Sequence, residues 1–249
     1  MPKIFEVGGC VRDEILGLKS KDIDFTFVLD DLKQTVEQGF EDMTQFLQTN
    51  GFEIFLSTAD CFTIRAKFPK DHINAGLVAD FVMARKELGI ISGTRRQNLG
   101  LGTLEDDLRR RDFTCNAIAK DINGVLIDPF NGQLAISHKL LITPMDPMIT
   151  FMDDPLRMLR AIRFSITKDF IISPEIWFAM AQPDLIERLR ETVSPERIRE
   201  ELEKAFSHDT LKTLRTLNKV DGSLIGFLDA CFDSGMRLTP TFKKVKNHN

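Results

Sequence analysis

The sequence is poor in the features that build zinc sites, disulfide frameworks and membrane spans. Its 249 residues include only four cysteines, which are widely scattered and form no CxxC pair. This spacing argues against both a structural zinc site and a disulfide framework. No stretch approaches about 18 consecutive apolar residues, and no charged N-terminal region precedes an apolar run. We therefore expect reduced thiols, a cytoplasmic location, and neither secretion nor a membrane span.

An excess of basic charge is also missing. The 33 Lys and Arg residues are outnumbered by 37 Asp and Glu residues, which gives a formal net charge of −4. This balance excludes a uniformly basic nucleic-acid coat, so any nucleic-acid surface must be local. With 43% hydrophobic and 28% charged residues, the composition is that of an ordinary globular protein rather than a fibrous or disordered one.

The first half of the chain mixes short strand patterns with helical patterns. Apolar alternation predicts strands at Lys3–Val7, Ile23–Leu29, Glu53–Leu56, Thr63–Phe68, Leu77–Met83 and Val125–Ile127. Helical periodicity predicts helices at Val11–Leu18, Leu32–Asn50 and Thr103–Ala119. This mixture favours an α/β or α+β sheet domain over residues 1–137.

From residue 138 onward helical patterns dominate, and no further strand is predicted. Helices are expected at Pro155–Ile166, Ser173–Met180 and Ser194–Phe206. The last two open on Ser-Pro-Glu, which places serine at the N-cap and proline in the first turn. We therefore predict a separate, helical domain over residues 138–249.

A Gly-Gly pair closes the first predicted strand. Gly8 and Gly9 run into a helical segment that carries Arg12 in its first turn. Two glycines let the backbone come close to a ligand, and a helix start with an arginine attracts phosphate. On its own, however, the pair is explained more simply as a tight turn.

Two aspartates share one face of the second predicted strand. Since residues two apart in a strand point the same way, Asp22, Asp24 and Thr26 lie on one face, while Ile23 and Phe25 fill the other. Two close carboxylates repel each other unless a cation lies between them, and oxygen ligands suit Mg²⁺ or Mn²⁺. Such a pair is the minimal set for two-metal phosphoryl transfer. A solvated strand end is the alternative.

A third motif combines three successive arginines with a carboxylate and an amide. Arg111 is the last of the arginines and directly precedes Asp112. Asp112 and Asn116 are four residues apart, so on a helix they share a face that could hold two ribose hydroxyls. A solvated charged face is the alternative.

A fourth motif is a basic stripe on the predicted helix Pro155–Ile166. Arg157, Arg160 and Arg163 recur every three residues and lie opposite an apolar stripe. A stack of guanidinium groups suits a triphosphate or the edges of bases. An amphipathic helix with a solvated face is the alternative.

Taken in order, six motifs resemble the class II tRNA nucleotidyltransferase (CCA-adding enzyme) and bacterial poly(A) polymerase family of the polymerase β superfamily. They are GGCVRD, KDIDF, DLRRRDFTCNAI, DPFNG, DDPLRMLRAIRF and SPERIREEL. The resemblance implies an α+β protein with a polymerase β-like nucleotidyltransferase head, a mixed sheet flanked by helices, over residues 1–137. An all-helical neck with a short, truncated body would follow over residues 138–249. Most of the family's body and tail would be absent.

The resemblance also implies roles for residues of the head. Asp22 and Asp24 would be the catalytic residues and would bind Mg²⁺, with Mn²⁺ as the other candidate. The remaining nucleotide contacts in the head would be made by Gly8, Gly9 and Arg12 at the triphosphate and by Arg111, Asp112 and Asn116 around the ribose.

In the neck, the resemblance implies a protein template for the incoming base. Asp154 and Arg157 match that template, with Asp153 in place of the family's usual glutamate. Arg160 and Arg163 fall on positions that face the nucleotide phosphates. The SPERIREEL motif would brace the neck through Glu196 and Arg197.

The implied activity is template-independent addition of CMP and AMP, from CTP and ATP, to the 3′ end of a tRNA. The 3′-hydroxyl would attack the α-phosphorus, and pyrophosphate would leave. A poly(A) polymerase and an enzyme adding only CC or only A share the same head and neck, so both stay open. A non-catalytic protein that binds nucleotide or RNA is the alternative from another class. Either a monomer or a homodimer is compatible with the sequence.

Two segments deserve comparison with the family pattern. The family's acidic residue after the DPFNG motif is missing near Ala135. The segment from Arg85 to Gly102, which contains four glycines and the pair Arg95-Arg96, lies where the family has a mobile loop that helps the switch from C to A addition. We expect a mobile loop there as well.

Overall fold

The computed structural model describes residues 3–20, 22–90, 97–223 and 226–232. The chain divides into two compact units, Met1–Thr150 and Phe151–Asn249. Lys21 of the KDIDF motif lies outside the described residues, as do Gly93, Arg95 and Arg96 of the predicted loop.

The first unit is built on a mixed sheet. The strands up to residue 127 are β1 (Lys3–Val7), β2 (Ile23–Val28), β3 (Glu53–Thr58), β4 (Thr63–Lys67), β5 (Val78–Met83), β6 (Arg85–Ile90), β7 (Gln97–Leu101), β8 (Ala119–Lys120) and β9 (Leu126–Ile127). Seven of them form one sheet in the order β3-β4-β5-β2-β1-β8-β9, in which β2 and β5 are parallel and the other described neighbours are antiparallel. β6 and β7 lie within the segment Arg85–Gly102 that is predicted to be a mobile loop, and they pair with each other as antiparallel strands.

Helices flank this sheet, which confirms the predicted fold class. The helices that begin in the first unit are α1 (Gly9–Ile15), α2 (Val36–Thr49), α3 (Leu104–Arg109), α4 (Gly132–Ser137) and α5 (Pro147–Asp153). α2 begins at a capping box, in which Thr35 accepts from the Gln38 amide and the Gln38 side chain accepts from the Thr35 amide.

Alternation along β2 separates an apolar face from a polar one. Phe25 and Phe27 are buried on the apolar face, together with Met43 and Leu47 of α2. Phe25 stacks on Phe81 of β5, with ring centroids 4.9 Å apart. Burial of these large side chains stabilises the strand by about 1.5–3 kcal/mol for each. The strand that carries Asp24 is therefore held in place by the packing of its apolar face.

The helix predicted over Thr103–Ala119 is wrong beyond Arg109. α3 ends there, and a short 3-10 turn follows at Thr114–Asn116. In the intervening segment, Asp112 Oδ1 accepts hydrogen bonds from the Phe113 amide at 2.9 Å and from Asn116 Nδ2 at 2.8 Å. Side-chain acceptors of this kind compete with helical hydrogen bonds, and here they replace them.

The second unit is mainly helical, and the three helices predicted for it are present. Its helices are α6 (Leu156–Thr167), α7 (Pro174–Met180), α8 (Pro183–Thr192), α9 (Pro195–His208), α10 (Thr210–Ser223) and α11 (Phe227–Phe232). The prediction of no strand after residue 138 is wrong, because two-residue strands β10 (Leu140–Leu141) and β11 (Ile171–Ile172) occur. Among the helices of the described ranges, none has the length and hydropathy needed to cross a membrane.

The boundary between the two compact units, after Thr150, lies later in the chain than the predicted division at 137/138. The segment after α4 belongs to the first unit, because the Thr114 amide donates to the Ile142 carbonyl at 2.8 Å. Gly132 at the start of α4 is also packed tightly on that turn, since an added Cβ would lie 2.2 Å from the Thr114 carbonyl oxygen. The functional division into a head of 1–137 and a neck of 138–249 stays a prediction.

Candidate nucleotide and metal site

A row of three charged side chains crosses three neighbouring strands of the sheet. Asp24 on β2 is in register with Asp80 on β5, and Asp80 is in register with Arg65 on β4. Arg65 grips Asp80 with two hydrogen bonds, from Nε to Oδ1 at 2.6 Å and from Nη2 to Oδ2 at 2.7 Å. The sheet thus places a second carboxylate beside Asp24 and neutralises it from the far side.

Burial disfavours the charged form of Asp24. Desolvation is the largest effect that raises the pKa of this carboxyl group, and the nearby Asp80 and Asp22 raise it further. Arg111 and Arg65 act in the opposite direction, and Arg111 has the larger effect of the two. A cation bound at this carboxylate would relieve both the repulsion and the lost hydration.

The Gly-Gly turn lies directly against these groups. Gly8 has φ 78° and ψ −131°, a backbone conformation that residues with a side chain rarely adopt. A Cβ added there would lie 2.8 Å from Nη1 of Arg111 and 3.9 Å from Oδ2 of Asp24. The structure therefore brings together Gly8, Asp24 and Arg111, which the sequence separates by up to a hundred residues.

Arg111 is held on one side of its guanidinium group. Its Nη2 atom donates to Asp107 Oδ2 at 2.9 Å and lies 3.4 Å from Thr26 Oγ1. The hydroxyl of Thr26 donates to the same Asp107 oxygen at 2.9 Å. Nε of Arg111 is buried and has no hydrogen-bond partner within the part of the chain that the structure describes. The hydrogen bonds shown for Arg111 use Nη2, whereas Nη1 is the atom that faces Gly8.

Arg12, Asn116 and Asp112 form a buried chain of hydrogen bonds. Arg12 donates from Nε to Asp13 Oδ1 at 2.8 Å and from Nη1 to Asn116 Oδ1 at 2.7 Å. Asn116 in turn donates from Nδ2 to Asp112 Oδ1 at 2.8 Å. Arg12 is only 6% exposed. These predicted residues do lie together, and the contacts shown are with each other, so their contact with nucleotide stays a prediction.

In the second unit, Asp154 is fixed by two donors. Its Oδ1 accepts from the Leu156 amide at 3.2 Å, at the start of α6, and its Oδ2 accepts from Nη2 of Arg197 on α9 at 2.9 Å. Arg197 therefore touches the carboxylate predicted to read the base. Arg157, the other residue of the predicted template, lies in α6, three residues after Asp154, and is half-buried.

Arg160 and Arg163 share a buried carboxylate that the sequence did not reveal. Nε of Arg163 donates to Oε2 of Glu201, and Nη1 of Arg160 lies 3.8 Å from Oε1 of Glu201. Both guanidinium groups also lie over the ring of Phe164, at 5.6 Å for Arg160 and 4.4 Å for Arg163. Glu201 thereby ties α9 to the basic stripe of α6.

The donor set in the first unit fits a magnesium ion of the kind that is shared with a substrate. No group of three or more His, Cys, Asp or Glu side chains in the described ranges is arranged to hold a metal ion by itself. Mg²⁺ in phosphoryl-transfer sites is usually held by one or two carboxylates together with water and substrate phosphates. Asp22 and Asp24 supply two carboxylates, and the desolvated state of Asp24 favours a bound cation.

Sequence reasoning missed three residues of the first unit, Arg65, Asp80 and Asp107, and one of the second, Glu201. Asp80 lies between apolar neighbours, which is the pattern of a residue on the polar face of a strand. Its partner strand β2, however, lies more than fifty residues away in sequence. Its place beside Asp24 depends on the parallel register of β2 and β5, which no local pattern encodes.

A mixed sheet with Asp24 on its central strand and Asp22 just before it, beside a glycine turn and an arginine, is the arrangement expected of a polymerase β-like head. The chain belongs to the poly A polymerase head domain family, which matches residues 4–142. Nucleotidyltransferase lcsQ from Purpureocillium lilacinum is 31% identical over 219 residues, which cover 79% of this chain and 34% of that protein. The tRNA nucleotidyltransferase cca2 from Schizosaccharomyces pombe is 32% identical over 208 residues, which cover 79% and 42%.

Solved structures of CCA-adding enzymes are also similar. The Bacillus stearothermophilus enzyme in complex with CTP has a TM-score of 0.71 and 27% identity, over 91% of this chain and 50% of that one. The Thermotoga maritima enzyme complexed with tRNA has a TM-score of 0.68 and 26% identity, over 96% of this chain and 50% of that one. The chain thus spans about half the length of these relatives, or less.

Proposed function

We propose that this protein adds CMP and AMP, from CTP and ATP, to the 3′ end of tRNA without a nucleic-acid template, and that it does so in the cytoplasm. The observation that carries the proposal is the convergence of Asp24, Gly8 and Arg111 on one spot of the sheet. Support comes from the relatives, because solved neighbours are CCA-adding enzymes bound to CTP or tRNA.

The residues of the head divide the work of phosphoryl transfer. Asp22 and Asp24 would hold divalent metal, Mg²⁺ in the first place, which when bound lowers the pKa of an attacking hydroxyl and neutralises charge on the phosphates. Gly8 lets a triphosphate approach the backbone, because it carries no side chain. Arg111 presents Nη1 to the same spot and would offset the negative charge that develops as pyrophosphate leaves.

The residues of the neck would choose the base. A carboxylate accepts a hydrogen bond from an exocyclic amine, and a guanidinium donates to ring and carbonyl acceptors. Cytosine at C4 and adenine at C6 carry this amine, where uracil and guanine carry a carbonyl oxygen, so Asp154 and Arg157 would accept cytosine and adenine and reject guanine and uracil. The hydrogen bond from Arg197 to Asp154 holds the carboxylate in place.

The proposal is tested by supplying Mg²⁺, an RNA with a free 3′ end and each of the four nucleoside triphosphates in turn. Pyrophosphate release and label incorporation should occur with CTP and ATP and should be lost in Asp24→Ala, with the fold retained. A long ladder of adenylates from ATP would instead indicate a poly(A) polymerase. Nucleotide binding without any pyrophosphate would indicate a non-catalytic binding protein.

A further inference from the structure

A buried carboxylate and a buried hydroxyl contact Nη2 of Arg111, whereas Nη1 faces Gly8. The Asp107 side chain is 6% exposed and pairs with Arg111, whose side chain is 23% exposed. Oδ2 of Asp107 accepts two hydrogen bonds at 2.9 Å, one from Nη2 of Arg111 and one from the hydroxyl of Thr26. Thr26 itself is fully buried on β2, two residues beyond Asp24.

This arrangement fixes which edge of Arg111 is available. The Nη2 atom is used by Asp107 and Thr26, whereas Nη1 points at the position of a Gly8 Cβ, 2.8 Å away. An arginine side chain without such a brace has many rotamers, and ordering it on binding costs free energy. A braced guanidinium has already lost that freedom before the ligand arrives.

We propose that Asp107 and Thr26 are positioning residues, which hold Arg111 in the orientation that binds the triphosphate of the incoming nucleotide. The inference rests on the proposed function only in the identity of the ligand. Because Thr26 belongs to the same strand as Asp24, the brace also fixes Arg111 relative to the metal-binding carboxylate. Arginine and metal ligand thereby form one rigid unit.

The same helix offers a matched control. Glu105 and Arg109 form an ion pair with the same spacing of four residues, at 2.8 Å, but their side chains are 58% and 52% exposed. Neither residue contacts the Gly8 turn or β2 in the hydrogen bonds that the structure shows. An exposed pair of this kind contributes little to stability. Glu105→Gln therefore removes an ion pair from α3 without disturbing the brace.

The test measures equilibrium binding of CTP and of inorganic tripolyphosphate, in the absence of RNA, to the full chain and four variants: Thr26→Val, Thr26→Ser, Asp107→Asn and Glu105→Gln. Thr26→Val should weaken binding of both ligands roughly tenfold, the effect of one lost charge-assisted hydrogen bond. Thr26→Ser should restore the affinity, Asp107→Asn should lose at least as much as Thr26→Val, and Glu105→Gln should bind as the parent does.

Equal losses of affinity for CTP and tripolyphosphate indicate that Arg111 no longer contacts the phosphates correctly. A general loss of stability cannot explain such losses in a variant whose melting temperature is unchanged. Thermal unfolding of each variant is recorded beside the binding curves. Unchanged affinity in folded Thr26→Val and Asp107→Asn would overturn the proposal, and so would a parent protein that binds neither ligand. A parent that binds CTP but transfers nothing to RNA would refute the proposed function alone, because the binding test needs no transfer.

Discussion

Gly8 and Arg111 approach each other so closely that a single added carbon would collide with the guanidinium group: a Cβ on Gly8 would lie 2.8 Å from Nη1 of Arg111. The two residues are 103 positions apart in the sequence. Gly8 lies between β1 and α1, and Arg111 lies just after the end of α3. The guanidinium group can occupy this position only while residue 8 has no side chain.

Gly8→Ala should therefore damage both the fold and the site. The positive φ of 78° costs a residue with a Cβ on the order of 1–3 kcal/mol, and the new methyl group would displace Arg111. Denaturant unfolding and CTP binding should both report a loss. Gly9→Ala is the comparison, because its Cβ would meet Arg12 at an ordinary 3.6 Å, and its stability loss should be clearly smaller. Equal unfolding free energies for the two variants would contradict this reasoning.

Asp24→Asn should abolish transfer and yet stabilise the metal-free protein at neutral pH. Burial raises the pKa of Asp24 in the folded state, so its ionised form destabilises the fold above that pKa. Below the ordinary Asp range, near 3.8, the group is protonated in both states and the penalty vanishes. The gain in melting temperature should thus be larger at pH 7 than at pH 4.5.

Magnesium should reverse the order of the melting temperatures of the parent protein and Asp24→Asn. Added Mg²⁺ should raise the melting temperature of the parent, since a ligand that binds only the folded state stabilises it, and should affect Asp24→Asn much less. A variant that melts below the parent in metal-free buffer at pH 7 would show that the carboxylate is not under electrostatic strain.

The strands of the site could be read from local pattern, whereas the contacts between them could not. β1 and β2 lie where apolar alternation predicts them, and the position of Asp24 follows from that alternation, while Asp22 lies one residue before β2. Asp80 escaped notice because its partner strand is distant in sequence. Asp107 escaped notice because its hydrogen bond with Thr26 joins residues 81 positions apart, although Arg111 is only four residues away. The helix predicted through Asp112 failed for a local reason, since side-chain hydrogen bonds to Asp112 replace the helical ones.

Glu201→Gln should loosen the second unit. Glu201 is 5% exposed and interacts with both Arg160 and Arg163, so its loss leaves two cations on α6 without their shared counter-charge. Breaking such a pair costs on the order of 3 kcal/mol. A double-mutant cycle with Arg163→Met isolates the coupling between the residues. Additive effects in that cycle would mean that the pair contributes nothing.

Arg157→Ala should relax base selection more than it weakens binding. If Asp154 and Arg157 read the base, removal of the guanidinium takes away the donors that distinguish one base edge from another, while the phosphate contacts remain. The ratio of kcat/KM for CTP over UTP should fall by roughly tenfold or more, the effect of one or two lost hydrogen bonds. An unchanged ratio with a raised KM would assign Arg157 to phosphate binding instead.

Thiol labelling should distinguish one cysteine from the others. Cys61 is exposed, whereas Cys10, Cys115 and Cys231 are buried. Burial also raises the pKa of Cys231 to about 12, which leaves almost no thiolate at neutral pH. Native protein should therefore react rapidly at Cys61 and at the buried thiols only on unfolding, as mass spectrometry of a Cys61→Ser variant would verify. Rapid labelling of Cys231 in native protein would contradict the packing of α11.

Transfer to a tRNA that lacks its terminal CCA tests the assigned activity most directly. With Mg²⁺, the product is resolved at single-nucleotide length after incubation with CTP alone, ATP alone, or both. Addition of C and A from CTP and ATP should give three added nucleotides with both and two with CTP alone, and Asp24→Ala should give none. No addition under any of these conditions, with CTP still bound by the protein, would contradict it.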